Sequence, residues 1–268
     1  DFLQVSGPPG MLSAADYGLW WSNSFHFTKA QFLDRIIANF TKHGLPFTHL
    51  VMDDGWHQIQ DGKDWASYTW NSSLPDYFGN TTDVQEFVQS LHSTAADSPL
   101  QRAMALSLNL HPIGVEPAEL RYNPFQQQVG ADPALKATLR CDLQNETWMT
   151  ALFDQVLDAP PNSGVDSWWT DGTCDGGTYG GSWENQYAYA ERIREYRELR
   201  GYTMSRWGGV GSQRSPMGFS GDQTTAWPTL KFQVDNTQTA ANVMFNSWSH
   251  DVGGFDCCGG PQGGGIYG

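Results

Sequence analysis

Residues 166–171 read Asp-Ser-Trp-Trp-Thr-Asp, a short apolar and aromatic run that stops at a carboxylate. Such a run has the length and composition of a buried strand, Asp166–Thr170, with Asp171 at its C-terminal end. The same pattern recurs on both sides. Thr48–Met52 is an apolar strand that stops at Asp53-Asp54-Gly55-Trp56, and Ala103–Leu110 stops at His111-Pro112. Tyr202–Ser205 ends near Arg206, Met217–Ser220 at Gly221-Asp222, and Val243–Trp248 at Ser249-His250-Asp251. Tyr17–Trp21 opens the series.

Between these strands the apolar period lengthens to that of a helix. Lys29–Lys42 has Thr28 as a cap, Phe32, Ile36 and Phe40 on one face, and Gly44 past its end. Asp83–Thr94 turns Val84, Phe87, Val88 and Leu91 inward. Further helices are expected at Glu146–Leu157, Glu184–Leu199 and Thr229–Ala241. Short strands alternating with helices mean an α/β fold with parallel strands. No Gly-x-Gly-x-x-Gly follows the first strand, which argues against an open dinucleotide-binding sheet. In a TIM (β/α)8 barrel the C-terminal ends of all strands meet at one mouth, and the polar residues here gather at those ends. A single catalytic barrel domain over residues 1–268 is therefore expected. Seven strands can be read and the sequence runs out in Gly-Gly-Pro-Gln-Gly-Gly-Gly-Ile-Tyr-Gly, so the eighth strand is expected to lie outside it; seven strands alone leave an open edge.

Composition removes other classes. The chain has 268 residues, 39% hydrophobic, enough for a large core. A net charge of -14 would repel phosphates, so nucleic acid is not an expected partner. No apolar run is long enough for membrane insertion. The first residues, Asp-Phe-Leu-Gln-Val-Ser-Gly-Pro-Pro-Gly-Met, lack the basic start and apolar stretch of a signal peptide. Four Asn-x-Ser/Thr sequons, at Asn39, Asn71, Asn80 and Asn145, still point to the secretory pathway. Cys141, Cys174, Cys257 and Cys258 fit no zinc spacing; the vicinal pair is expected to be structural, or to bond to Cys174 or Cys141. The twelve Trp, ten Tyr and fourteen Phe suit sugar faces, although most must be core.

Two carboxylates stand out by position. Asp171 follows an aromatic strand, and Asp222 follows Gly218-Phe219-Ser220-Gly221 two strands later. Glycosidases use such a pair, about 5–5.5 Å apart where configuration is retained. One attacks the anomeric carbon; the other protonates the leaving oxygen and later activates water. The acid is expected in the less solvated place of the two. On spacing alone, either Asp could equally be a helix cap. The acidic pair Asp53-Asp54 supplies too few converging oxygens for a hard metal, so neither a metal nor an organic cofactor is expected.

Residues 205–233, SRWGGVGSQRSPMGFSGDQTTAWPTLKFQ, and 240–255, AANVMFNSWSHDVGGF, resemble the second half of the catalytic domain of glycoside hydrolase family 31. GLWWSNSF (18–25), LNLHP (108–112) and DSWWTD (166–171) resemble its first, third and nucleophile strands. The resemblance implies a TIM barrel and a retaining, exo-acting α-glycosidase, most directly an α-glucosidase, acting on an oligosaccharide or α-glycoside without a cofactor. It implies Asp171 as nucleophile, Asp222 as acid/base, Arg206 as a ligand of sugar hydroxyls, and Trp169 as a wall of the sugar subsite. It places His250, Asp251 and Phe255 along the pocket; it is the resemblance of Asp53-Asp54-Gly55-Trp56 to the related α-galactosidase clan that implies Asp53 and Asp54 on sugar hydroxyls. It also implies a secreted or secretory-lumen protein whose flanking β-sandwich domains lie outside this sequence.

Three departures bear on specificity. Asp53-Asp54-Gly55-Trp56-His57 stands where the family reads Asp-x-Asp-Trp-His, and resembles the Asp-Asp-Gly-Trp of the related α-galactosidase clan. Gly172-Thr173-Cys174 follows the nucleophile in place of a tryptophan or a methionine-type residue. The eighth strand, with its usual histidine, is missing. α-Galactosidase, α-xylosidase and transglycosylase thus stand as alternatives on the same barrel. An inert carbohydrate-binding barrel is the alternative from another class; it should bind sugar equally well after Asp171→Asn.

Overall fold

The computed structural model describes residues 2–23, 27–58, 67–72, 78–93, 104–172, 174, 189–194, 200–206, 210–215, 217–245 and 247–257. They form two compact units, Leu12–Gly177, and Thr178–Gly268 together with Asp1–Met11.

The first unit is built on four parallel strands in the order β1 (Trp20–Trp21), β2 (His49–Met52), β3 (Ala105–Leu110) and β4 (Ser167–Thr170). The register sets Leu50 beside Leu106 and Asn109 beside Trp169. Every residue of β2 and β4 is buried, as expected of parallel strands covered on both faces. Parallel pairing needs long crossovers, and helices supply them. Tyr17, read from sequence as the start of β1, instead closes a single turn over Ala15–Tyr17, and the strand begins at Trp20.

Helix α1 (Gln31–Ile37 continuing as Ala38–Lys42) starts with a reciprocal cap. The Gln31 backbone N–H donates to Thr28 Oγ1 at 3.2 Å, and the Thr28 N–H donates to Gln31 Oε1 at 2.8 Å. Its first turns are wide, closing over five residues rather than four. That width moves the inward position from Ile36 to Ile37, which is fully buried with Phe32. Phe40 is half-buried, 4.5 Å from the Phe47 ring. Helix α2 (Thr81–His92) begins earlier than the sequence reading. Asn80 Oδ1 accepts from the N–H groups of Thr82 and Asp83 and caps it there. Val84, Phe87, Val88 and Leu91 are all buried, as their spacing requires. Helix α3 is Tyr122–Gln128, and α4 (Glu146–Leu152 with Phe153–Leu157) is capped by Asn145.

The aromatic richness resolves largely into core. Rings run in contact from Trp56 through Trp70, Phe78 and Phe87 to Phe32, with centroids 4.7–6.2 Å apart. Cys141 and Cys174 are joined to each other by a disulfide, so neither is a partner for the vicinal pair. The Cys257 side chain and Cys258 lie outside the described residues.

The second unit has three parallel strands, β5 (Thr203–Ser205), β6 (Met217–Phe219) and β7 (Trp248–Ser249). Residues 189–194, helix α5, are described from the Glu184–Leu199 segment. Helix α6 (Trp227–Asn242) carries Pro228 in its first turn, where a missing N–H costs nothing. The Val243–Trp248 strand read from sequence is shorter. Val243 closes α6, Met244 takes φ +63°, and the Phe245 N–H returns to the Ala240 carbonyl. The chain needs those residues to leave the helix, which overrides their preference for extended backbone. Among the described residues there are seven long-sheet strands and no eighth, and no helix is long and apolar enough to cross a membrane.

Candidate active site

Asp171 follows β4, its backbone N–H donating to the Leu110 carbonyl at 2.9 Å. The residue is 8% exposed. Asn109, on the adjacent strand β3, donates through Nδ2 to Asp171 Oδ2 at 3.0 Å and to Asp53 Oδ1 at 2.7 Å. His111, two residues on, places Nε2 3.5 Å from the same Asp171 oxygen. The ends of β2, β3 and β4 thus meet at the Asn109 amide. Trp56 reaches in from the turn after β2, its indole N–H donating to the Asn109 carbonyl at 2.6 Å. Trp169 is buried within β4. The Asp54 side chain lies outside the described residues.

The sequence departures after Asp171 have a local reason. A Cβ at Gly172 would lie 2.8 Å from His111 Nδ1, so a side chain there would displace the imidazole. Cys174 is committed to the bond with Cys141, which ties the turn after β4 to the segment following the short strand Leu139–Arg140.

In the second unit Asp222 follows β6, and its Oδ1 lies 3.0 Å from Nη2 of Arg206, which follows β5. The guanidinium also sits 5.6 Å from the Phe219 ring centroid. Gly221 between them has φ +77°, and a Cβ there would crowd the Arg206 stem at 3.2 Å. The Asp222 side chain is 42% exposed and that of Asp171 only 9%. This reverses the solvation order read from sequence. The nucleophile candidate sits among buried strands, whereas Asp222 stands on an open loop with Arg206.

His250 and Asp251 line a cavity of about 870 Å³ together with Trp227, Leu230, Val234 and Thr237 of α6. His250 Nε2 is 3.5 Å from Thr237 Oγ1, and burial lowers its pKa. Phe255 is half-buried and held through its backbone N–H, which donates to the Gln223 carbonyl at 2.8 Å.

The sequence profile of the glycosyl hydrolases family 31 TIM-barrel domain matches residues 9–262. The chain belongs to glycosyl hydrolase family 31. The α-xylosidase A of Aspergillus niger is 36% identical over 81 residues, 28% of this chain and 11% of that protein. The fold is that of the family 31 α-xylosidase of Xanthomonas citri, with a TM-score of 0.72 at 18% identity over 96% of this chain. The cycloalternan-degrading enzyme of Trueperella pyogenes, in complex with isomaltose, gives 0.69 at 18% over 95%. This chain covers 30% and 41% of those two chains, so it spans well under half of either.

Family 31 membership gives the strands their architecture: they belong to a TIM barrel, with Asp53, Asp171, Arg206, Asp222 and His250 all at or just beyond strand C-terminal ends. Asn109 is the residue the sequence reading passed over. It lies inside the Ala103–Leu110 run and not at its end, yet β3 alternates Leu106, Leu108 and Leu110 with Ser107 and Asn109. That period of two puts an amide on the face opposite the leucines, a signal available without any structure.

Proposed function

We propose that this barrel is the catalytic domain of a retaining, exo-acting α-glycosidase. In the first step an Asp171 oxygen bonds to the anomeric carbon while the bond to the leaving oxygen breaks and Asp222 gives that oxygen its proton. In the second, Asp222 takes a proton from water, the water oxygen bonds to the anomeric carbon, and Asp171 leaves. Arg206 holds Asp222 and sugar hydroxyls, Asp53 and Asp54 take hydroxyls, and Trp169, His250, Asp251 and Phe255 line the pocket. No cofactor takes part in this chemistry. The observation that carries the reading is the buried Asp171 carboxylate at the end of β4, held by Asn109 and His111 of the neighbouring strand β3 and its end, in a barrel of this family.

The relatives named above shift the choice of sugar. Two are α-xylosidases, which supports α-xylosides as the first substrates, ahead of the α-glucosides expected from sequence. The test is a panel of nitrophenyl α-glycosides with the full-length enzyme, wild type and Asp171→Asn. Turnover of the α-xyloside, lost in the variant, supports the reading. Sugar binding with no turnover in either would leave an inert barrel.

The remaining expectations stand as parts of this proposal. The disulfide and the sequons support an oxidising, secretory compartment. Flanking domains supply the rest of the length of such enzymes.

A further inference from the structure

We infer that Asn109 is a positioning residue that couples the sugar-gripping carboxylate Asp53 to the nucleophile Asp171; this rests on the α-glycosidase reading above. A side-chain amide nitrogen has two hydrogens, and here each is directed to a different carboxylate, Asp53 Oδ1 at 2.7 Å and Asp171 Oδ2 at 3.0 Å. The amide cannot be turned over. A flipped Asn109 would turn its own carbonyl oxygen toward the two carboxylates and lose both hydrogen bonds.

Asn109 is 1% exposed, and its Oδ1 has no hydrogen-bond partner among the described residues. A buried, unpaired amide oxygen carries a cost that an apolar residue of the same size would avoid. The amide is therefore kept for what its nitrogen does. Its backbone is equally constrained, because the Trp56 indole holds the Asn109 carbonyl and β4 pairs alongside at Trp169.

Two consequences follow for the chemistry. Binding one Asp171 oxygen fixes the rotation of the carboxylate, so the other is presented in a single direction, and orientation of this kind is a large part of catalysis. The same nitrogen ties that rotation to Asp53. A glycone that draws Asp53 into place also sets the nucleophile; one lacking the relevant hydroxyl sets neither. Asn109 thereby contributes to sugar selection without touching the sugar.

The test uses the full-length enzyme with Asn109→Ala, Asn109→Leu, Asp53→Ala, the Asp53→Ala/Asn109→Ala double variant, and Asp171→Asn as control. For Asn109→Ala the expected result is a kcat lower by roughly 10- to 100-fold, the value of a hydrogen bond to a charged group, with KM changed less than about threefold. The double variant is expected to lose little beyond the worse single one, no more than about threefold, because both break one linkage. If alanine leaves a cavity that prevents folding, the leucine variant fills it and is read in the same way; failure of both to fold would overturn the inference, since the amide would then be structural. A normal kcat in folded Asn109 variants, or losses that simply multiply in the double variant, overturns it too, with the glycosidase reading intact provided Asp171→Asn is dead. An active Asp171→Asn removes that reading itself.

Discussion

The two carboxylates of the proposed reaction stand in opposite surroundings. Asp171 is enclosed by β3 and β4, shares a donor with Asp53, lies beside His111, and is followed by a disulfide-anchored turn. Asp222 is half-open to solvent and paired with Arg206. The helix of its unit, α6, leaves Trp227, Leu230, Phe232 and Val234 exposed. The difference suits the nucleophile and runs against the less solvated place expected of the acid, although exposure leaves that group in exchange with water. A nucleophile needs a fixed direction of attack, which a core supplies. An acid/base exchanges protons with water and leaving group, which an open loop permits.

Breaking the comparison at its strongest point, Asp171→Asn should lower kcat/KM on the order of 10⁴-fold whatever the leaving group. Asp222→Ala should instead discriminate. On an alkyl glycoside kcat/KM should fall roughly 10²- to 10⁴-fold, and on a dinitrophenyl glycoside far less, because that leaving group needs no proton. Equal losses on both substrates would remove Asp222 from the acid role.

Stability should show the same asymmetry. Phe87→Ala, in the aromatic core of the first unit, is expected to cost about 3–5 kcal/mol in denaturant unfolding. Leu230→Ala on exposed α6 should stay within about 0.5 kcal/mol. Removing the Cys141–Cys174 bond should cost about 2–4 kcal/mol.

The smallest effects come from one histidine in each unit and have opposite signs. The hydrogen bond to Asp166 at 2.8 Å raises the pKa of His92, with burial opposing it. Its contribution is present in full below the ordinary histidine value and lost as pH rises through the folded one. Burial lowers the pKa of His250, so stability there is lost as pH falls below the ordinary value. Both groups are partly exposed, and His92→Gln and His250→Gln should each flatten one limb of the pH–stability curve by about a few tenths of a kcal/mol.

Much of this was legible in the sequence because strand ends advertise themselves. An apolar run followed by Asp or Arg is visible one residue at a time, and it singles out Asp171, Arg206 and Asp222 as candidates. Element interiors followed from periodicity, as the four buried residues of α2 show. What escaped depends on geometry that propensity does not encode. The wide turns of α1 exchanged Ile36 for Ile37. Val243–Phe245 became a helix exit despite strand-forming side chains. The bridging role of Asn109 required knowing that β2, β3 and β4 lie side by side, a pairing no single segment contains.

The most direct test of the central claim is mass spectrometry of the full-length enzyme after trapping with a 5-fluoro glycosyl fluoride matched to its preferred sugar. The account predicts one added glycosyl group, on the peptide that contains Asp171 and on that residue. A label on Asp222 or Asp53, or burst-free turnover with no covalent adduct, would contradict it.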